Sequence, residues 1–305
     1  MSVDPAPVPF SRAVDVVREG PGRYRAQLCL AWEAGGGKQH GGVLLAVATR
    51  AALVALDEHR GVSRPDGPGP DGRGRGTSSP DAPGRDEPGS AEPSQPLAVS
   101  ASFLRAGATG AAEARTEVLG VRGSVWVVRS VLCQGGDVVL DTTVTAGRLP
   151  AEADRPPGSL TPLPPEPPAE LRAATEPRPS DPPLASACDV RIDPATTGYR
   201  RRERTEPVMR GWVQPLAEPP GVLFALFAGD ILPTGLFNFG LLGWAPTVQL
   251  TALVRAVPAP GWLRVATATR SIAGGWFDED VTVVDAGGQL VCQARQLARA
   301  PRPRG

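Results

Sequence analysis

Residues 221–251 read GVLFALFAGDILPTGLFNFGLLGWAPTVQLT. Twelve nearly unbroken apolar residues run from Val222 to Pro233, and Asp230 is the only charge among them. The spacing predicts a helix over Gly221 to Ile231 that is apolar around most of its circumference, so other structure must enclose it. A strand is expected to start at Thr247. An ionised carboxylate buried without hydrogen-bond donors is costly or shifts its pKa, so Asp230 needs polar partners. Thr247 and Thr251 lie just downstream, and Gln296 lies near the C-terminus. An acid held by neutral donors in an apolar setting suits the activation of water; it also suits a cap or a hub of core hydrogen bonds.

The same order of elements occurs earlier in the chain. From Val43 to Leu56 only Thr49 and Arg50 are polar, so this too is a helix buried on most sides. A strand at 23–32 precedes it, and strands at 97–104, 112–119, 124–134 and 138–145 follow, punctuated by Gly107, Gly110, Gly123 and Gly135-Gly136. The second helix is preceded by a strand at 210–216 and followed by strands at 247–256, 262–269, 277–284 and 290–298. FLRAGATG at 103–110 matches LVRAVPAPG at 253–261, and CQGGDVVLDTTVTAG at 133–147 matches VDAGGQLVCQARQLA at 284–298. Two copies of one α+β unit, a long buried helix wrapped by a curved antiparallel sheet, account for the chain. That unit is a hotdog, and two in tandem make a double hotdog.

The expected organisation is a first unit over 1–149, a linker over 150–185 and a second unit over 186–305. Residues 61–96 are rich in Gly, Pro, Ser, Asp and Arg and read as a disordered insertion in the first unit, and 150–185 is dense in Pro and acidic residues.

Composition excludes several functions. The 32 basic residues balance the 32 acidic ones, which argues against a nucleic-acid or polyanionic partner. Cys29, Cys133, Cys188 and Cys292 are far apart and form no CxxC, so neither a zinc site nor a disulfide scaffold is expected. His40 and His59 are the only histidines, which leaves little material for a metal site or a Ser-His-Asp triad. No apolar leader or membrane-length apolar run is visible, so a cytoplasmic protein off the membrane is expected. Hotdog sheet edges are commonly paired, which predicts a homo-oligomer.

The segments HGGVLLAVATRAAL, PLAVSASFLRAG, RGWVQPL, LFAGDILP, PTVQLT, PAPGWLRV and GGQLVCQARQLAR, in this order, resemble acyl-CoA thioesterase II and its actinobacterial double-hotdog relatives. The resemblance covers most of 23–60, 97–149 and 207–300. It implies hydrolysis of acyl-CoA to free acid and CoASH, with no metal, no cofactor and no covalent intermediate. It also implies a water held by an Asp, a Thr and a Gln, which fall here on Asp230, Thr247 and Gln296, with Thr251 as the alternative hydroxyl.

Strand parity supports Gln296, which shares its face with Leu290, Cys292 and Ala294. It does not support Thr247, which falls opposite the apolar face of Val248, Leu250, Ala252 and Val254 unless a β-bulge intervenes. Backbone N–H groups at Gly41, Gly42 and Val43, where the first helix begins, are candidates for holding an oxyanion, with His40 beside them. Matching the turns sets Leu97 against Thr247 and Val144 against Gln296, so the first copy lacks the trio and one site per chain is expected.

His59 reads as part of a polar helix end, Trp126 and Trp276 as packing residues, and Arg200 to Arg204 as a solvated charge run able to attract phosphates. Two other functions fit a hotdog: a non-catalytic acyl-thioester-binding protein, and a dehydratase or hydratase built on a His/acid pair.

Overall fold

The structure, a computed structural model, describes residues 7–62, 92–150, 160–171 and 182–301. A short helix α1 (Phe10–Ala13) leads into strands β1 (Val16–Gly20) and β2 (Arg23–Leu28). β2 buries Tyr24, Ala26 and Leu28 and exposes the residues between them, the two-residue period of a half-buried strand. A small hairpin of β3 (Glu33–Gly35) and β4 (Lys38–Gln39) comes next, then helix α2 (Gly41–Arg60).

α2 begins where the His40 side chain accepts the Gly42 N–H, and it ends at Gly61 in the left-handed conformation that glycine tolerates. Burial is unbroken from Gly42 to Thr49, as the near-absence of polar residues requires. Thr49 satisfies its hydroxyl on the Leu45 carbonyl at 2.8 Å. Leu44, Leu45, Leu53 and Leu56 are all buried, each contributing about 2 kcal/mol of hydrophobic stabilisation. Strands β5 (Gln95–Phe103), β6 (Gly110–Arg122), β7 (Val125–Gln134) and β8 (Asp137–Gly147) complete the first copy.

The second copy comprises β9 (Cys188–Ile192), β10 (Val208–Pro215), α3 (Val222–Ala228), β11 (Thr247–Val254), β12 (Leu263–Ala268), the short β13 (Ile272–Ala273), β14 (Trp276–Val284) and β15 (Leu290–Arg299). The two copies share one antiparallel sheet in the order β1-β2-β6-β7-β8-β5-β11-β15-β14-β12-β10-β9. The order from β2 to β5 is mirrored from β11 to β10. The seam is the β5–β11 pair, where Val99 faces Ala252 and Ala101 faces Leu250.

α2 packs on β5 to β8, α3 packs on β11, β12 and β15, and the two helices pack on each other. Gly42 makes this possible, because a Cβ there would stand 3.0 Å from the Phe227 carbonyl and 3.2 Å from its Cα. Phe10 wedges between Trp32 and Phe227, at ring separations of 4.8 and 5.1 Å.

α3 is shorter than the expected 221–231. The chain tightens at Ala228 through Gly229 N–H to Leu226 and Asp230 N–H to Phe227, both three-residue bonds. Asp230 therefore sits just past the helix end instead of within its last turn. The apolar run continues through Ile231 and Leu232, so hydrophobic periodicity cannot mark this boundary.

Of the linker, residues 160–171 dock onto the second copy: Trp212 Nε1 donates to the Pro164 carbonyl at 2.9 Å and Arg264 to that of Leu163 at 3.2 Å. Most of the expected disordered insertion, residues 63–91, lies outside the described residues, as do 151–159 and 172–181 of the linker. Gln95 and Pro96, expected to close that insertion, already belong to β5. Among the described residues no helix is long and apolar enough to cross a membrane.

Candidate active site

The end of α3, the start of α2 and the near ends of β11, β14 and β15 line a half-open cavity of about 540 Å³. Its apolar wall includes Leu44, Phe103, Leu232, Trp244 and Phe277; its polar wall includes His40, Asp230, Thr234, Thr247, Glu279 and Gln296, with Gln39 and Arg105 also lining it.

Asp230 comes from the second copy, but it meets the start of α2 in the first. A Cβ on Gly41 would lie 2.7 Å from Asp230 Oδ2, so the carboxylate rests against the N-terminus of α2 and a side chain there would displace it. The side chain is 9% exposed. Burial first, and the nearby charge of Glu279 second, push its pKa up from 3.8 to about 7, against the opposing effect of the Gly42 N–H. His40 Nδ1 is 3.7 Å from Asp230 Oδ2. That nitrogen accepts the Gly42 N–H at 3.1 Å, and burial lowers the imidazole pKa to about 4. His40 is therefore neutral at neutral pH, and the contact is not an ion pair.

The polar partners expected for Asp230 form a separate chain. Thr247 Oγ1 donates to Gln296 Oε1 at 2.5 Å, and Gln296 Nε2 donates to Glu279 Oε2 at 2.8 Å. Glu279 Oε1 accepts the Gly235 N–H at 3.0 Å. Glu279 is 2% exposed. Burial raises its pKa, and Gly235, Gln296, Thr234 and Thr267 oppose the rise by stabilising the charge.

A β-bulge resolves the parity conflict at Thr247. Thr247 pairs with Ala298 and Gln249 with Leu297, so Val248 is the extra residue and Thr247 turns inward beside Gln296. Thr251 is not in the cavity; its hydroxyl is 3.3 Å from that of Ser100, across the β5–β11 seam. The first copy carries a matching bulge, with Pro96 opposite Ala146 and Ala98 opposite Thr145. The register deduced from the turns is therefore corrected by one residue: Pro96, not Leu97, corresponds to Thr247, and Leu97 corresponds to Val248. Val144 still corresponds to Gln296, and Val128 to Glu279.

At the start of α2, His40 and Gly41 line the cavity, whereas Gly42 and Val43 do not. The Gly42 N–H is taken by His40 Nδ1 and the Val43 N–H by the His40 carbonyl. The Gly41 N–H has no hydrogen-bond partner among the described residues. His59 stacks edge-on to Trp126 at 5.5 Å, and the run from Arg200 to Arg204 is exposed; none of these lines the cavity. No group of three His, Cys, Asp or Glu residues able to hold a metal ion is found among the described residues.

Glu279 was not expected from the sequence, although the test that singled out Gln296 would have found it. It shares a strand face with Phe277, Val281 and Val283, all buried, and is the one charge on that face.

Two adjoining family models match the chain: the acyl-CoA thioesterase N-terminal domain over residues 30–147 and the C-terminal domain over 164–300. Protein Rv0499 of Mycobacterium tuberculosis H37Rv is 38% identical over 225 residues, covering 68% of this chain and 77% of that one. The crystal structure of a candidate thioesterase II from Thermobifida fusca YX superposes with a TM-score of 0.74 at 28% identity, covering 96% and 97% of the two chains. A hot dog fold protein from Alicyclobacillus acidocaldarius superposes with a TM-score of 0.73 at 16% identity, covering 97% and 98%, a likeness of fold alone. This double-hotdog chain belongs to the acyl-CoA thioesterase II-type family of thioester hydrolases.

Proposed function

We propose that the cavity hydrolyses acyl-CoA thioesters, with Asp230, Thr247 and Gln296 holding the attacking water. The observation that carries this reading is the meeting, in one cavity, of a carboxylate with a pKa of about 7 and a Thr247–Gln296 pair of defined polarity. A base with a pKa near the working pH is well matched to taking a proton from water. The Thr247 proton is committed to Gln296, so the Thr247 oxygen is left to accept a water proton and orient the nucleophile.

In the reaction, the water oxygen bonds to the thioester carbon as its proton passes to Asp230, and the carbonyl electrons move onto oxygen. In this reading the Gly41 N–H, at the positive end of α2 and without a hydrogen-bond partner among the described residues, receives that oxyanion. Collapse breaks the C–S bond, and the thiolate takes the proton back from Asp230 to leave as CoASH. Leu44, Phe103, Leu232 and Phe277 supply an apolar surface for the acyl group. We also infer that copies of the chain associate, a point that light scattering on the purified protein tests directly.

The experiment is free-thiol release from acyl-CoAs of increasing length, acetyl to palmitoyl, by the wild type and Asp230→Asn. Turnover that drops about 100-fold or more in the variant supports base catalysis by Asp230. Equal turnover in the two proteins sinks the proposal.

A hydratase reading has one observation in its favour, the 3.7 Å approach of His40 to Asp230. Against it, His40 Nδ1 is already occupied by the Gly42 N–H. Loss of the conjugated absorbance of an enoyl-CoA, abolished by His40→Asn, would establish it in place of hydrolysis.

A further inference from the structure

We propose that Glu279 is a positioning residue that sets the hydrogen-bond direction through Gln296 to Thr247, and so decides that Thr247 presents its oxygen lone pairs, not its proton, to the cavity. This inference rests on the reading of Thr247 and Gln296 as the groups that hold the water.

The two ends of a glutamine amide have nearly the same shape, and a threonine hydroxyl can donate or accept. Neither residue dictates the direction of the bond between them. A carboxylate whose two oxygens both receive N–H donors is different, because it acts only as an acceptor. Glu279 takes the Gly235 N–H on Oε1 and the Gln296 amide on Oε2. Glu279 Oε2, 2.8 Å from the Gln296 amide, requires the NH₂ end to face it. The amide oxygen then faces Thr247, and at 2.5 Å it receives the hydroxyl proton.

Glu279 is itself fixed as an acceptor: the Gly235 N–H donates to its other oxygen at 3.0 Å. No cation pairs with Glu279 among the described residues, which is unusual for an acid that is 2% exposed.

The repeat shows that the fold does not need this acid. In the first copy the three corresponding positions are Val128, Val144 and Pro96, and the sheet forms there with the same pairing and the same bulge. An unpaired buried carboxylate is costly where a valine serves. Its presence in only the copy that carries Thr247 and Gln296 points to a role in the site.

The test is Glu279→Gln. The new amide keeps its oxygen on the Gly235 N–H and turns an NH₂ toward Gln296. Gln296 must then flip, present its own NH₂ to Thr247 and drive the Thr247 proton into the cavity. We expect kcat, measured near pH 8.5 where Asp230 is ionised, to fall about 30-fold with KM changed less than about threefold, the scale of losing one oriented polar contact in a transition state. In a Thr247→Val background the same substitution should add less than about twofold, because Glu279 acts only through that hydroxyl.

A Glu279→Gln protein within about twofold of wild-type kcat overturns the inference. So does a loss that persists in full in the Thr247→Val background, because that is how a purely structural residue behaves. If the variant does not fold, NMR of the wild type decides. Gln296 side-chain amide protons that exchange slowly and are shifted by a carboxylate support the inference, and fast exchange at solvent-like shifts overturns it. The Asp230→Asn and Thr247→Val single variants separate the two levels. If both abolish turnover while Glu279→Gln does not, only this inference fails; if both remain active, the water-holding reading fails with it.

Discussion

Replacing Asp230 by asparagine should stabilise the protein while it disables it, and the stabilisation should depend on pH. The carboxyl pKa is 3.8 for an unperturbed aspartate and about 7 in the fold, raised chiefly by burial. A carboxylate whose folded pKa is raised contributes stability that is fully present below the unfolded pKa and is lost as pH rises through the folded one. The loss therefore begins near pH 4 and is complete above about pH 7. A difference of about three pKa units corresponds to roughly 4 kcal/mol at the plateau. Asparagine is close to the shape of the protonated acid and carries no charge to desolvate. Its advantage over the wild type should be about 1 kcal/mol at about pH 4.5 and about 4 kcal/mol at about pH 8. Urea unfolding of both proteins at the two pH values measures this as a change in midpoint at constant slope. An advantage that is the same at both pH values refutes the raised pKa, and with it the physical basis for Asp230 as a base matched to neutral pH.

Three further outcomes follow from the same geometry. Thr247→Val should lower kcat about 100-fold, on the scale of lost transition-state hydrogen bonds, whereas Thr251→Val should leave it unchanged, because that hydroxyl faces Ser100 across the seam; steady-state kinetics on one acyl-CoA checks both. The rate should rise with pH through about 7 as Asp230 ionises and then level off. Because the charge of Glu279 raises the Asp230 pKa, while the Gly42 N–H lowers it and His40 is neutral, Glu279→Gln should move that rise to lower pH; an unmoved limb would refute the coupling. The adjacent glycines of α2 should differ. Gly41→Ala displaces the Asp230 carboxylate, 2.7 Å from the added methyl, and costs activity more than stability. Gly42→Ala forces α2 away from the Phe227 backbone and should destabilise the fold by about 1–3 kcal/mol, read by thermal unfolding.

The site joins halves of the chain that have diverged in chemistry but not in architecture. The first copy supplies a long helix whose N-terminus meets the acid; the second supplies the acid and, on three neighbouring strands, the polar chain. With Val128, Val144 and Pro96 in the corresponding places, the first copy cannot build an equivalent centre. The proposed single site per chain rests on side-chain identity, not on any difference in sheet geometry.

The amino-acid sequence by itself determined what depends on local periodicity. The buried helix from Gly41, the eight meander strands and their tandem order were legible because burial imposes a 3.6-residue or two-residue pattern that survives in a linear text. The same logic exposed Asp230 and Gln296 as polar residues on apolar faces, and it would have exposed Glu279. Only the tertiary structure decided the rest. The bulge at Val248 that turns Thr247 inward is a property of pairing between two strands, so neither strand shows it alone. The end of α3 at Ala228 is set by the bonds of Gly229 and Asp230 within an apolar run that has no local stop signal. Asp230 meets Gly41 and His40 on the other copy, because the seam between β5 and β11 brings the two helices together. Contacts across such a seam depend on how two units dock, and a hydrophobic pattern, which records only which residues are buried, carries no information about which residues they meet.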